Sequence, residues 1–140
     1  MGKIMSNTKT LKNITVSPKE AYVYFTLASD GTQETNTVIY DSSVVATAAG
    51  DTDPLTSAIM EVYASASAAT TARVLLKWDA STPVLAMDIP TATDPLKFCA
   101  RDALCLPNQG GSGITGDITL TTTGLASGDA ITILMRVKRQ

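Results

Sequence analysis

Apolar residues recur at every second position through most of this chain, a period that suits strands with one buried face and does not suit amphipathic helices. Ala72, Val74, Leu76 and Trp78 share a face, with Arg73, Leu75 and Lys77 opposite. Leu85, Met87 and Ile89 share another until Pro90 stops the run, and Met60, Val62 and Ala64 alternate with Glu61, Tyr63 and Ser65. Ile118 and Leu120 alternate with Thr119 and Thr121. The longest run is the last, with Ile131, Ile133, Met135 and Val137 set against Thr132, Leu134, Arg136 and Lys138. Tyr22 to Leu27 is a further β-rich run that ends at the turn pair Asp30-Gly31, and Glu34 to Tyr40 alternates weakly. Gly124 to Asp129 reads as a loose hairpin joining the last two strands.

Helix signals are weak. The alanine-rich stretch from Ala64 to Ala69 is short, has no N-cap and runs into Thr70 and Thr71. Residues 41–56 read as a long loop, and a short helix or 3₁₀ turn fits near Asp53-Pro54-Leu55 or Asp94-Pro95-Leu96, where Pro follows a capping Asp. A length of 140 residues suits one domain with a core that needs no staples. The expectation is an all-β fold, an antiparallel β-sandwich of about eight strands, jelly-roll-like, over residues 20–140. Residues 1–19 are polar, lack a period and read as an extended N-terminal arm, ordered only where it lies on something. On that reading, removing the arm leaves the melting temperature nearly unchanged.

Histidine is absent, which removes the commonest general base and the commonest metal ligand together, and no pair of carboxylates stands at a spacing that singles it out. The expectation is therefore no catalytic residue, no cofactor and no metal site. Cys99 and Cys105 cannot complete a structural zinc site without histidine. A disulfide between them requires the segment to loop back, whereas buried free thiols in a reducing compartment are the expected state. The first nineteen residues hold no apolar signal segment, and no stretch approaches eighteen apolar residues. Synthesis inside the cell and no membrane contact are the corresponding expectations, and the sequon Asn13-Ile14-Thr15 is read as accidental.

The formal net charge of −2 is unevenly spread. Residues 1–20 sum to +3 and residues 136–140 to +3, while residues 21–135 sum to −8. The basic ends make Lys3, Lys9, Lys12, Lys19, Arg136, Lys138 and Arg139 the candidate partner-binding residues, reaching for acidic neighbours such as the body of an adjacent copy. A solubilising tail and the outward side of a last strand account for the same charges. Basic residues are not interleaved with aromatics, and the acidic body repels phosphates, so direct nucleic-acid binding is not expected.

Other constellations have plain structural readings. Asp51, Asp53, Asp88, Asp94 and Asp117 offer oxygen ligands, but Asp51-Thr52-Asp53 lacks the following Gly and terminal Glu of a calcium loop, and solvated loop acids are expected. Gly110-Gly111-Ser112-Gly113 lacks the Lys and helix start of a phosphate cradle and reads as a loop entering a strand. Trp78 is expected in the core with Val74 and Leu76. Thr115, Thr119, Thr121, Thr122 and Thr123 suggest an uncharged outward face that packs flat against another protein without desolvating ions; β-propensity on a solvated face explains the same residues.

The run Leu75-Leu76-Lys77-Trp78-Asp79, the loop Pro107-Asn108-Gln109-Gly110-Gly111 and the stretch from Thr115 to Thr122 resemble small virion structural proteins of tailed bacteriophages, in particular capsid decoration or cement proteins. The similarity covers residues 60–138 and lies in general character, since such proteins are small, β-rich and rich in Thr, Ala and Gly, with no shared site motif to transfer. It implies a non-enzymatic protein on the capsid surface of the virion, assembled in the host cytoplasm, that stabilises contacts between coat subunits. The implied partners are the major capsid protein and other copies of the chain, with a trimer favoured. The basic arm from Lys3 to Lys19 would then lie over a coat subunit or a sister copy. The alternative is a carbohydrate- or receptor-binding β-sandwich module of a head fibre or tail. Scarce aromatics count against it, because a sugar site usually offers an exposed ring and Trp78 is expected to be buried.

Overall fold

The computed structural model describes residues 7–17, 20–42, 57–92, 95–99 and 106–139. Ten strands lie among them: β1 (Thr8–Ser17), β2 (Glu20–Asp30), β3 (Thr37–Tyr40), β4 (Ser57–Ser67), β5 (Arg73–Trp78), β6 (Val84–Ile89), β7 (Leu96–Cys99), β8 (Leu106–Pro107), β9 (Ile118–Thr123) and β10 (Ser127–Arg139). They form two sheets, one ordered β1-β2-β10-β4-β7 with β8 also pairing β4, the other ordered β3-β9-β5-β6. The named strands pair antiparallel throughout, so the fold is an all-β sandwich. The expected loop over 41–56 lies outside the described residues past Ser42, as do Asp53-Pro54-Leu55, Asp94 and Cys105; Leu96 opens a strand.

Alternation builds the core as expected in β5 and β10, and it does so in β2 as well. Val23, Phe25 and Leu27 face inward opposite Met135, Ile133 and Ile131, which in turn lie opposite Val62, Ala64 and Ala66 of β4. In the smaller sheet Trp78 pairs with Ile118 and Leu76 with Leu120, all fully buried. Each such side chain contributes about 1.5–3 kcal/mol on burial, so these inward rows carry most of the fold's driving force.

Two bulges change the faces predicted from strict alternation. Between the pairs Arg136–Glu61 and Val137–Ile59 the register slips, Met60 becomes the extra residue, and Ile59 takes the inward position. Between Leu76–Met87 and Lys77–Leu85 a second slip makes Ala86 the extra residue. Met87 and Ile89 stay on the inner side, but Leu85 turns outward and is 51% exposed, while Val84 sits opposite Trp78. One inserted residue moves everything beyond it to the other face.

The stretch from Gly124 to Asp129 is not a hairpin, because β9 and β10 belong to different sheets. Gly124 takes a φ of +75° with Ala72 Cα 3.3 Å from where a Cβ would stand, and Leu125 is buried. Gln33 clamps this crossing: its Oε1 accepts from Leu125 N at 3.0 Å and its Nε2 donates to Leu125 O at 2.9 Å.

Residues 8–17 of the segment read as an arm form β1, paired with β2 from Thr8–Ala28 to Ser17–Glu20. The register puts Lys9, Leu11 and Asn13 on the inner side, opposite Leu27, Phe25 and Val23. Lys9 and Asn13 there meet polar groups beside the smaller sheet's edge, while Leu11 is 42% exposed. Asn13 Nδ2 donates to Ile39 O at 3.0 Å, and Asn13 Oδ1 accepts from Asp41 N at 3.0 Å. β1 is thus tied across the open side of the sandwich by hydrogen bonds, which is why its sequence lacks an apolar period.

Candidate functional site

The register of the larger sheet assembles two rows on its outer face. One runs Lys12, Tyr24, Leu134, Tyr63, Lys97 across β1, β2, β10, β4 and β7. The next runs Ile14, Tyr22, Arg136, Glu61. Ile14 (45% exposed), Tyr24 (42%), Tyr63 (43%) and Leu134 (40%) are large apolar side chains left in solvent together. A trough of about 480 Å³ lies along this face, with Tyr22, Tyr24, Tyr63 and Lys97 on its walls. The Tyr22 and Tyr24 rings stand 6.5 Å apart at 32°, and Lys97 Nζ lies 5.8 Å from the Tyr63 ring centroid, a cation–π distance.

Arg136 anchors the second row. Its Nη2 donates to Glu20 Oε1 at 2.8 Å, and its Nη1 lies 3.5 Å from Glu61 Oε1. The hydrogen bond to Glu20 raises the guanidinium's pKa further, so it stays charged. Lys12 and Lys138 share this outer face, Lys138 opposite Glu20. Lys9 does not: it faces inward and pairs with Glu34 at 2.7 Å. Lys3 and Lys19 lie outside the described residues, and Arg139 is placed only by its backbone pairing with Ser57. Among the described basic residues of the two ends, Lys12, Arg136 and Lys138 share the outer face, and Lys9 pairs with Glu34 on the inner side.

Glu34 is the acceptor at the centre of that closure. The buried carboxylate takes hydrogen bonds from Asn7 Nδ2 (2.6 Å), Lys9 Nζ (2.7 Å) and Thr37 Oγ1 (2.7 Å). Burial alone pushes its pKa up, but these donors and the Lys9 charge outweigh burial and hold it below the ordinary 4.5. Nothing in the linear sequence marks Glu34, because two of its three donors, Asn7 and Lys9, lie more than twenty residues away.

The smaller sheet's outer face has a different character. One row runs Val38, Thr119, Lys77, Leu85 and another Thr121, Leu75, Asp88. Val38 is 39% exposed and Leu85 51%, while Asp88 pairs with Arg73 on the same face. Along these rows Lys77 is the charge outside that ion pair. The threonines expected to form one outward face are divided. Thr122 points inward, where its Oγ1 accepts from Glu34 N at 2.9 Å and donates to Gln33 Oε1 at 3.1 Å. Thr121 Oγ1 accepts from Asn36 N at 3.0 Å, and Thr115 Oγ1 donates to Asp79 Oδ2 at 2.8 Å. Adjacent strand residues cannot share a face, which is the reason for the division.

Of the acids singled out as oxygen donors, Asp51, Asp53 and Asp94 lie outside the described residues. Asp88 sits on β6 beside Arg73, and Asp117 sits before β9, where it accepts from Ser42 N at 2.7 Å. Burial raises the Asp117 pKa, and Asp41 and Asp79 add to the rise against the Ser42 and Thr115 hydrogen bonds. The Gly110–Gly113 stretch leads into β9 as a loop, with Ser112 O accepting from Ser81 N at 3.0 Å. No helix among the described residues is long and apolar enough to cross a membrane.

The tyrosine row is the feature that alternation alone did not bring out. Tyr22, Tyr24 and Tyr63 each alternate with inward residues along their strands, but their meeting on one face across β10 depends on the β2-β10-β4 order, which the sequence does not state. No protein-family model matches the chain, and no curated protein matches it.

Proposed function

We propose that the chain is a non-enzymatic structural protein of a tailed-bacteriophage virion that binds the outside of the capsid and stabilises contacts between coat subunits. Its partners in this reading are the major capsid protein and further copies of itself, in a trimer. The observation that carries the reading is the smaller sheet's outer face, where Val38 and Leu85 are exposed, Thr121 and Leu75 are partly exposed, Arg73 and Asp88 neutralise each other, and Lys77 is the one further charge along its rows. Such a face is covered by a partner with little ion desolvation. The order β2-β10-β4-β7 against β3-β9-β5-β6 supports a jelly-roll reading of the sandwich. A shell repeats its surface many times, so contacts of standard size, about 1,600 Å², are reinforced by avidity across the lattice.

The test is the copy number of the protein in purified particles relative to the major coat protein, by quantitative mass spectrometry. A simple lattice fraction is expected. A few copies place it at the neck, tail or fibre instead, and absence from particles refutes the reading. Leu85→Asp and Val38→Asp should abolish attachment to shells that lack the protein while leaving its melting temperature within a few degrees.

A further inference from the structure

We propose that the tyrosine-walled trough on the larger sheet's outer face is a binding site for an acidic oligosaccharide. This inference does not depend on the virion reading. Along this row the trough's lining runs from Tyr24 to Lys97 across four neighbouring strands, and three interstrand steps of about 4.8 Å give about 14 Å, with Lys12 one strand further on. A cation stands at each end, with Tyr24, Leu134 and Tyr63 between. That length suits several linked sugar rings better than one. The volume of about 480 Å³ falls in the range of ligand sites.

The chemistry of the walls selects the ligand class. A pyranose has an apolar C–H face and a hydroxyl rim, and exposed tyrosine rings answer both, the ring to the C–H face and the phenol to the rim. Glu61 and Arg136 lie in the adjoining row within the same trough and supply an acceptor and donors for hydroxyls. The charge of the face selects among saccharides. Lys12, Lys97, Arg136 and Lys138 face Glu20 and Glu61, a balance of +2 on a chain whose residues 21–135 sum to −8. Glu20 and Glu61 are both engaged by Arg136, which leaves the lysines to an incoming carboxylate. The positive field is concentrated where the aromatic rings are. An uncharged sugar would use the rings and leave the lysines idle, whereas a uronic or sialic acid uses both.

The experiment is a glycan array carrying uronic- and sialic-acid oligosaccharides beside neutral gluco- and galacto-oligosaccharides, followed by titration of the strongest acidic ligand. The full chain should bind acidic oligosaccharides, and less tightly as salt rises. Tyr63→Thr and Lys97→Gln should each weaken binding about tenfold, a typical cost of removing one anchor. Both variants keep strand-compatible residues at exposed positions, and matching melting curves check that they fold. Leu85→Ser, on the opposite sheet, should bind as the unaltered chain does. No acidic ligand on the array, equal binding of neutral sugars, or binding that neither Tyr63→Thr nor Lys97→Gln changes would each overturn the assignment.

Discussion

Replacing Glu34 by glutamine tests how the sandwich is closed. The carboxylate accepts from Lys9 and Thr37 on Oε1 and from Asn7 on Oε2, at 2.6–2.7 Å. A glutamine keeps one acceptor and turns the other into a donor. Whichever way its amide lies, a donor meets Asn7 Nδ2 or the Lys9 ammonium. The backbone at this position is held in place, because Glu34 N donates to Thr122 Oγ1 and Thr122 N donates to Glu34 O, both at 2.9 Å, and the side chain is buried. A buried donor left unmatched costs about 1–3 kcal/mol. The lost ion pair adds at most about 1 kcal/mol, because Lys9 is 37% exposed and rehydrates. The expected loss is about 1–4 kcal/mol, and for a chain of this size that lowers the melting temperature by about 3–14 °C.

Lys9→Met should cost less, under about 1 kcal/mol, since Asn7 and Thr37 still hold the carboxylate. Urea titrations of the two variants give the comparison directly. The pH dependence supplies a second readout. Glu34 has a folded pKa below its ordinary 4.5, so its contribution is present above that value and is lost as pH falls through the lowered one. The gap between the unaltered chain and Glu34→Gln should therefore narrow below pH 4.5. A gap that stays constant through that range, or a Lys9→Met loss as large as that of Glu34→Gln, would refute the account.

Four further outcomes follow from the packing. Deleting residues 1–17 removes β1 with its Asn7, Lys9 and Asn13 anchors and should destabilise the chain by about 4 kcal/mol or more, the opposite of what a free arm would do; an unchanged urea midpoint would return β1 to the status of an arm. Trp78 is fully buried, so its fluorescence should be blue-shifted and shielded from acrylamide, and Trp78→Ala should cost about 3–5 kcal/mol. Gly124→Ala forces a Cβ at φ +75° against Ala72 and should cost about 1–2 kcal/mol by thermal melting. Asp117 has a folded pKa above its ordinary 3.8, so its charge opposes folding as pH rises through that folded value; Asp117→Asn should stabilise the chain at pH 7, with a gain that disappears on acidification.

Which parts of the architecture were legible depends on what each strand touches. β10 faces the core without interruption from Ile131 to Val137, so these residues alternate without error and their inward placement follows from the sequence. β4 and β6 face the same core, but each contains one extra residue, and alternation has no term for a bulge at Met60 or Ala86. β1 shows the opposite limit. Its inner side meets Glu34, Ile39 O and Asp41 N instead of apolar side chains, so a true strand carries polar residues at Lys9 and Asn13 and looks like an arm. The candidate site was half visible. Tyr22, Tyr24, Tyr63 and Leu134 all alternate with core residues in sequence, yet only the pairing of β10 with both β2 and β4 brings them onto two adjoining rows of one face.

The two outer faces make separable demands. On the proposed capsid reading the shell covers the smaller sheet's face, where Leu85 and Val38 are exposed, Arg73 and Asp88 pair, and Lys77 is the one further charge along the rows. The larger sheet keeps unpaired lysines beside aromatic rings, and covering Lys12 and Lys97 with a neutral coat surface would strip their water without return. The faces lie on opposite sides of one sandwich, so a chain seated on a shell through the smaller sheet turns its trough to solvent. Attachment and saccharide binding should therefore respond to different substitutions. Leu85→Asp should abolish shell attachment and leave titration of the acidic oligosaccharide unchanged, while Tyr63→Thr should do the reverse. Loss of both activities in either variant, with the fold intact, would mean that one face serves both partners and that the division of labour is wrong.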